Sequence, residues 1–349
     1  MSGFSSEWLA LREPFDRAAC DASGAALGWP AWAARLHAAR APGSALAVVD
    51  LGCGTGASLR EIAPRLGGRQ HWRLVDHDAG LLAAVPEALS RWAGSRGLRL
   101  RTAGDRLTIE GADLHVDVDR VRADLAGGLG SLPLAGAQLV TASALLDLVS
   151  ADWLDALVAR CSAAGAAVCW TLNVDDQLDW QPADRADAAV QSRFRADQQR
   201  DKGFGAALGG AAAAHALRAL QAVGYAVAQA ASDWQVDGAR GTTDRAMLRA
   251  MVEGIAAAAI AQAPSAADEV RGWQARRLAQ LPALRLRVGH VDVLGGPASA
   301  VPTLYPTMMI VTTVARIRFE TNSTLSAQAI GTIPPMAKPS SRRRIRNCS

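Results

Sequence analysis

The segment that most constrains the fold is Val48–Gly56, with the sequence VVDLGCGTG. The apolar run Ala45–Leu51 is typical of a buried strand, and the pattern over Ala57–Leu66 is helical. Three glycines at alternate positions connect the two. Glycine tolerates positive φ and lets a ligand approach the main chain, while a helix N-terminus attracts an anionic group. The segment therefore predicts a strand–loop–helix unit that binds a ligand.

Short apolar runs alternate with longer helical patterns over residues 45–296. This alternation predicts an α/β fold, in which crossover helices connect the strands of a parallel sheet. Ligands bind such sheets at the carboxyl ends of the strands. The predicted strands are Ala45–Leu51, His71–Val75, a third strand that follows a hairpin within 98–123 and ends near Asp124, Gln138–Ser143, Ala166–Leu172, Tyr225–Val236 and Leu284–Leu294.

The charge is distributed unevenly. The chain has a formal net charge of +4, but residues 298–349 hold seven Lys or Arg and one acid, Glu320. Residues 1–297 carry 30 basic and 32 acidic side chains, so the body of the protein is slightly acidic. This removes the compositional argument for a nucleic-acid-binding surface, and no nucleic-acid partner is expected for the core.

Cysteine usage and hydropathy bear on the compartment. The five cysteines form no C-x-x-C pair, so we expect reduced thiols and no metal site. The N-terminus has no apolar core of signal-peptide length, and the apolar stretch Val301–Ala315 is too short to cross a membrane. We predict a soluble cytoplasmic protein without a transmembrane segment.

Two classes of ligand use a glycine-rich loop of this kind. Gly52, Gly54 and Ala57 fit the dinucleotide pattern G-x-G-x-x-G/A, with Asp76 about 20 residues further on. An NAD(P)-dependent oxidoreductase is therefore one alternative. However, Asp50 stands two positions before the first glycine, where a dinucleotide-binding strand usually remains apolar.

The pattern D-x-G-x-G-x-G formed by Asp50, Gly52, Gly54 and Gly56 closely resembles motif I of class I S-adenosylmethionine (SAM)-dependent methyltransferases. The likeness extends over residues 45–296 and is to the bacterial type that acts on small molecules. It implies a Rossmann-like class I methyltransferase fold, with seven strands in a mostly parallel sheet, helices on both faces and an antiparallel last strand. It also implies SAM as the cofactor.

The resemblance implies roles for individual residues. Gly52, Gly54 and Gly56, with Cys53 between them, would hold the methionine part of SAM, and Asp50 would order its amino group. The acid at the end of strand 2, Asp76, would bind the ribose hydroxyls, because a carboxylate accepts two hydrogen bonds. Asp124, after strand 3, would lie near the adenine. The alternative for Asp76 is a helix N-cap, for which Asp78 competes.

The acceptor is not named by any motif. Absence of the tetrad that marks nucleobase and protein-amide methyltransferases favours a small molecule, and Asp147, after strand 4, is the candidate general base. Asp147 is equally well explained as a helix-start acid. His290 and Asp292 share one face of the last strand, and Lys202 is the only lysine in the body. Three tryptophans near strand ends are candidates for an aromatic acceptor pocket: Trp170, Trp180 and Trp234.

A domain organisation follows from these patterns. We predict an N-terminal helical cap over 1–44 and a methyltransferase domain over 45–297. Within the domain, 237–284 reads as a helical insertion and a candidate lid. Residues 298–349 read as a basic tail with little apolar area to offset ordering entropy, so we predict disorder there. The tail's arginines could tether the protein to an anionic surface, or the tail could be a non-native sequence created by a frameshift. A non-catalytic partner protein with the same fold is a further alternative for the whole chain.

Overall fold

A computed structural model describes residues 5–41 and 43–298. The strands are β1 Leu46–Leu51, β2 Gly68–Asp76, β3 Arg99–Ala103, β4 Arg106–Glu110, β5 Leu114–Arg122, β6 Leu139–Ser143, β7 Ala167–Gln181, β8 Tyr225–Ala231, β9 Trp234–Asp237 and β10 Arg285–Pro297. The α-helices are α1 Ser6–Leu27, α2 Trp29–Ala38, α3 Ala57–Leu66, α4 Ala79–Ser95, α5 Ala151–Ala164, α6 Asp187–Gln198, α7 Ala212–Ala222, α8 Thr242–Gln262 and α9 Ala267–Ala279. The tail predicted over 298–349 lies outside the described residues except for Ala298.

The strands form one mixed sheet in the order β3-β4-β5-β2-β1-β6-β7-β10-β8, with β9 paired to β10. Neighbours from β5 to β7 are parallel, and β10 runs antiparallel to both β7 and β8. The predicted α/β fold with a mostly parallel sheet and helices on both faces is confirmed, including the antiparallel last strand. The predicted number of seven strands is too low, because the described residues contain ten. The β3–β4 hairpin extends the sheet beyond β5, and β9 adds a short pair to β10.

Helices cover both faces of the sheet. Apolar side chains of α2, α3 and α4 pack on one face, and those of α5 and α7 pack on the other. A third apolar cluster is formed by α1, α6, α8 and α9 together with the C-terminal half of β7 and the N-terminal half of β10. Because β7 pairs with β6 only as far as Thr171, this cluster lies beyond the carboxyl end of β6. The third cluster therefore builds onto the edge of the sheet where ligands are expected.

Two local predictions differ from the structure. The predicted strand Ala166–Leu172 is too short, because β7 continues to Gln181, where it pairs with β10. The polar residues that follow Leu172 thus hold the second half of β7 and, further on, all of α6. The predicted strand Tyr225–Val236 is divided into β8 and β9. Ser232 lies between the two strands, and its hydroxyl donates to Asp292 Oδ1 over 2.6 Å. This hydrogen bond accompanies the interruption of the regular pairing with β10.

Candidate functional site

The glycine loop after β1 has the backbone that its sequence requires. Gly52, Gly54 and Gly56 have φ of +63°, +54° and +82°, values that residues with a Cβ rarely adopt. The backbone N–H of Cys53 donates to the carbonyl of Val75 over 3.1 Å, which ties the loop to β2. A Cβ on Gly54 would lie 2.9 Å from Leu9 Cδ1 of α1, so α1 packs directly over the loop.

The acid that ends β2 is hydrogen-bonded to this loop. Asp76 is 5% exposed, and its Oδ2 accepts from the N–H of Gly54 over 2.8 Å. Its Oδ1 accepts from the N–H of Asp78 over 2.9 Å. Asp78, not Asp76, caps α4, accepting from the N–H groups of Gly80 and Leu81. Each Asp76 oxygen retains a lone pair that can accept a further hydrogen bond.

Asp50, at the end of β1, is fully buried. Its Oδ1 accepts from the hydroxyl of Thr141 over 2.7 Å, while its Oδ2 has no hydrogen-bond partner within the described part of the chain. Burial raises the pKa of this carboxyl from 3.8 to about 7, and the negative charge of Asp76 acts in the same direction. The hydroxyls of Thr141 and Ser58 both act to lower the pKa of this carboxyl. A buried carboxylate oxygen without a donor is costly, so a ligand that brings a donor would be bound favourably here.

The two other predicted cofactor residues have different surroundings. Asp124 is exposed, and its Oδ1 accepts from the N–H of Ala126 over 2.9 Å. Because the N–H of Ala123 donates to the Asp76 carbonyl, Asp124 lies at the same edge of the sheet as Asp76. Cys53 is buried, and burial raises the pKa of its thiol well above 9.0, so the thiol is un-ionised and fills space in the loop.

The candidate base Asp147 borders a cavity of about 220 Å³. Asp147 is 9% exposed, and its Oδ1 has no hydrogen-bond partner among the residues that the structure describes. Burial raises the pKa of its carboxyl from 3.8 to about 6. The cavity lies between the ends of the sheet and the helices of the third cluster. Its walls include three large aromatic side chains, from α1, α6 and β9: Trp8, Phe194 and Trp234.

His290 and Asp292, the two candidates on the last strand, lie in different environments. His290 lines the same cavity as Asp147 and is 3% exposed, and its Nδ1 has no partner in the described part of the chain. Burial lowers the pKa of the imidazole from 6.5 to about 3, so the ring is neutral. The backbone of Val288 acts to raise the pKa of this imidazole. Asp292 instead accepts hydrogen bonds from Ser23, Ser232 and the N–H of Leu172, which explains it as a buried structural carboxyl.

The remaining sequence candidates do not meet at this cavity. Lys202 pairs with Asp197 over 3.3 Å. Trp170 is buried in the core that α5 and α7 cover, and Trp180 packs edge-on against Trp273 with ring centroids 5.8 Å apart. Only Trp234 of the three candidate tryptophans lines the cavity.

Sequence reasoning missed the contribution of α1. Trp8, Arg12 and Asp16 are spaced four residues apart and share one helix face. The Arg12 guanidinium lies 5.1 Å from the Trp234 ring centroid, and Trp234 Nε1 donates to Asp16 Oδ1 over 3.0 Å. The i, i+4, i+8 spacing was visible in the sequence, but nothing there showed which surface this face would cover.

Within residues 5–41 and 43–298, no group of three or more His, Cys, Asp or Glu side chains is arranged to hold a metal ion. None of the described helices is long and apolar enough to cross a membrane.

No protein-family model and no curated protein matches this sequence. Among solved structures, the chain resembles the cyclopropane synthase MmaA2 from Mycobacterium tuberculosis, with 9% identity, 71% of this chain and 78% of that chain covered, and a TM-score of 0.36. It also resembles a precorrin-6y C5,15-methyltransferase from Geobacter metallireducens GS-15, with 10% identity, coverages of 76% and 85%, and a TM-score of 0.36. A third is the Haemonchus contortus phosphoethanolamine N-methyltransferase 2 in complex with S-adenosylhomocysteine, with 13% identity, coverages of 85% and 59%, and a TM-score of 0.37. Likenesses of this extent do not identify a substrate or a reaction.

Proposed function

We propose that this protein is a SAM-dependent methyltransferase that acts on a small-molecule acceptor. The observation that carries the proposal is the pair of buried carboxyls at the glycine loop. Asp76 is bonded to the Gly54 amide, and Asp50 Oδ2 has no hydrogen-bond partner among residues 5–41 and 43–298. SAM offers both missing partners, an ammonium for Asp50 and a ribose diol for Asp76.

The residues of the loop fit this ligand. The free lone pairs of Asp76 can accept from two vicinal hydroxyls, and an ammonium would supply Asp50 Oδ2 with a charge-assisted hydrogen bond. Gly52, Gly54 and Gly56 present main chain without side chains. Asp124, at the same edge, would lie toward the adenine. When bound, SAM supplies an electrophilic methyl group on a sulfonium.

The acid at the end of β1 argues against the NAD(P) alternative. A dinucleotide would bring its pyrophosphate to the glycine loop, where helix N-terminal amides usually bind it. Here Asp50 is buried behind the loop, and its carboxylate would repel a pyrophosphate, whereas an acid at the position of Asp76 suits a ribose in either class of ligand.

On the acceptor side, Asp147 would accept the proton that the acceptor loses on methylation. Its raised pKa makes it a better base than an exposed aspartate and leaves it mostly ionised at neutral pH. The contact of Leu9 with Gly54, and the presence of Trp8 and Met251 in the wall of the cavity, support a covering role for the cap over 1–44 and for the insertion over 237–284.

A thermal-shift panel of SAM, S-adenosylhomocysteine, NAD and NADP tests the proposal. We expect SAM and S-adenosylhomocysteine to raise the melting temperature and the two dinucleotides to leave it unchanged. Stabilisation by NAD or NADP alone would establish the oxidoreductase alternative, and no response to any of the four would favour a non-catalytic partner protein.

A further inference from the structure

The cavity beside Asp147 is lined by large apolar side chains, whereas few such side chains are exposed on the outer surface of the described residues. Among the described residues, Val223 is the one large hydrophobic side chain that is exposed on the outside of the protein. By contrast, Trp8, Phe194, Met251 and other partly buried apolar side chains face this cavity. A concave, mostly apolar site with a few polar groups is the usual form of a small-molecule pocket.

The rings and the volume define the size and shape of the ligand. Trp234 packs against His290 with ring centroids 5.0 Å apart and edge-on against Trp8 at 6.4 Å, and Phe194 contributes a further ring to the wall. Aromatic walls favour a flat aromatic ligand through stacked and edge-to-face contacts. The cavity measures about 220 Å³, whereas a cavity of ~150 Å³ accommodates benzene. One substituted ring therefore fits.

Two polar side chains of this wall, Asp147 and His290, together select a hydroxyl group. The Asp147 carboxylate can only accept a hydrogen bond when ionised, and the neutral imidazole of His290 has one N–H that donates and one nitrogen that accepts. A hydroxyl donates to the carboxylate and accepts from the imidazole N–H. A carboxylate on the ligand could not donate to Asp147. The two arginines of the wall are already bound, Arg12 to Asp16 and Arg195 to the carbonyl of Asp176.

We propose that this cavity binds a monocyclic phenol, with its hydroxyl donating to the Asp147 carboxylate and accepting from the His290 imidazole. The assignment of the phenol as the methyl acceptor rests on the proposed function, whereas the binding of the phenol does not. In that reaction the phenol O–H bond breaks and its proton passes to Asp147, while an O–CH3 bond forms as the C–S bond of the sulfonium breaks. His290 positions the hydroxyl and fixes its direction.

Ligand-observed NMR titrations with four probes test the proposal on the full chain without any methyl donor. The probes are phenol, cyclohexanol, benzoate and benzylamine. Phenol should bind at least about fivefold more tightly than cyclohexanol, which lacks the ring, and than either charged probe. Equal affinity for phenol and cyclohexanol, or a preference for either charged probe, would overturn the proposal.

Two variants assign the hydrogen bonds, and a second Asp–His pair provides matched controls. Asp147→Asn and His290→Phe should each weaken phenol binding by about tenfold. Asp155 and His215 form a pair at 2.7 Å that does not line the cavity, so Asp155→Asn and His215→Phe should leave phenol affinity unchanged. Equal losses in the control variants would contradict the assignment. If a cavity variant fails to fold, the comparison of the four probes on the unaltered protein still decides.

The outcome is separable from that of the proposed function. S-Adenosylhomocysteine binding without phenol binding would reject the phenol site and leave the methyltransferase proposal intact. Phenol binding without S-adenosylhomocysteine binding would retain the site and reject the methyltransferase.

Discussion

The backbone N–H of Gly54 donates to Asp76 Oδ2 over 2.8 Å, so the acid that ends β2 holds the glycine loop that ends β1. The parallel register places Leu51 beside Val75, which brings the loop level with Asp76. The second Asp76 oxygen accepts from Asp78, whose own side chain caps α4. One carboxylate thus connects two loops that lie side by side at the carboxyl edge of the sheet.

Replacing Asp76 by Ala should lower the affinity for S-adenosylhomocysteine by at least about tenfold, because hydrogen bonds to a charged group contribute ~1.5–3 kcal/mol. Calorimetric titration measures the change. Asp78→Asn is the matched control, since it alters the cap of α4 while keeping the backbone N–H that Asp76 uses. Unchanged affinity in Asp76→Ala would remove Asp76 from the donor site.

Asp50 should make stability depend on pH. Its pKa is raised from 3.8 to about 7, so the folded state binds more protons than the unfolded state between these values. The free energy of unfolding should therefore fall as pH rises through this window. Asp50→Asn should remove that pH dependence. The free energy of unfolding of the variant minus that of the unaltered protein should therefore be larger at about pH 8 than at about pH 5. Chemical denaturation at both pH values gives the difference, and parallel curves for the two proteins would contradict the prediction.

The packing of α1 over the loop can be measured by a double-mutant cycle. Gly54→Ala should be destabilising because Gly54 has φ of +54° and because the added Cβ would lie 2.9 Å from Leu9 Cδ1. The Leu9→Ala variant removes that contact, so the double variant should be more stable than the sum of the single effects predicts. Gly97→Ala measures the cost of a Cβ at positive φ alone, since Gly97 has φ of +67° and no neighbouring atom within 4 Å of an added Cβ. Strict additivity would mean that Leu9 and Gly54 are not in contact in solution.

Proton acceptance by Asp147 should be visible in a pH profile. With phenol as the acceptor, kcat/KM should rise with pH through about 6 as the carboxyl ionises. The charged and titratable groups that share its cavity are Arg12 on α1, Asp176 on β7, Arg195 on α6 and His290 on β10. Arg12 lowers the pKa of Asp147 and Asp176 raises it. Rates of S-adenosylhomocysteine formation provide the profile, and an Asp147→Asn variant with the same acid limb would exclude Asp147 as the proton acceptor.

The third cluster depends on one buried ion pair. The guanidinium of Arg277 is fully buried, bonds to Asp187 and to the carbonyl of Pro182, and lies 5.1 Å from the Trp180 ring centroid. Arg277→Met should destabilise the protein by about 3 kcal/mol, because it removes the buried cation from Asp187. That carboxylate then keeps the donors Trp273 Nε1 and the Asp184 N–H. Arg91→Ala removes an exposed ion pair with Glu87 and should change stability by less than about 1 kcal/mol. Equal changes in denaturation midpoint for the two variants would contradict this prediction.

Local patterns in the sequence determined the central part of the fold. The conformation of β1, the glycine loop and α3 can be predicted from the sequence alone, because each depends on residues that are consecutive in the chain. An apolar run indicates the buried strand, glycines indicate positive φ in the loop, and a helical apolar period indicates the helix. Asp50 and Asp76 are adjacent in space for the same reason, since parallel strands end at a common edge.

Contacts between distant segments decided the rest. The second half of β7 and all of α6 are polar in sequence, and pairing with β10 and packing against α8 give them their structure. Residues on α1, α6, β9 and β10 meet Asp147 only because the third cluster folds over the carboxyl edge of the sheet. Burial raises the pKa of Asp147 and lowers that of His290, and burial depends on these long-range contacts. The sequence by itself thus determined the glycine loop and the acids beside it, whereas the cavity and its chemistry were decided by tertiary packing, because side chains from distant segments must come together to exclude water.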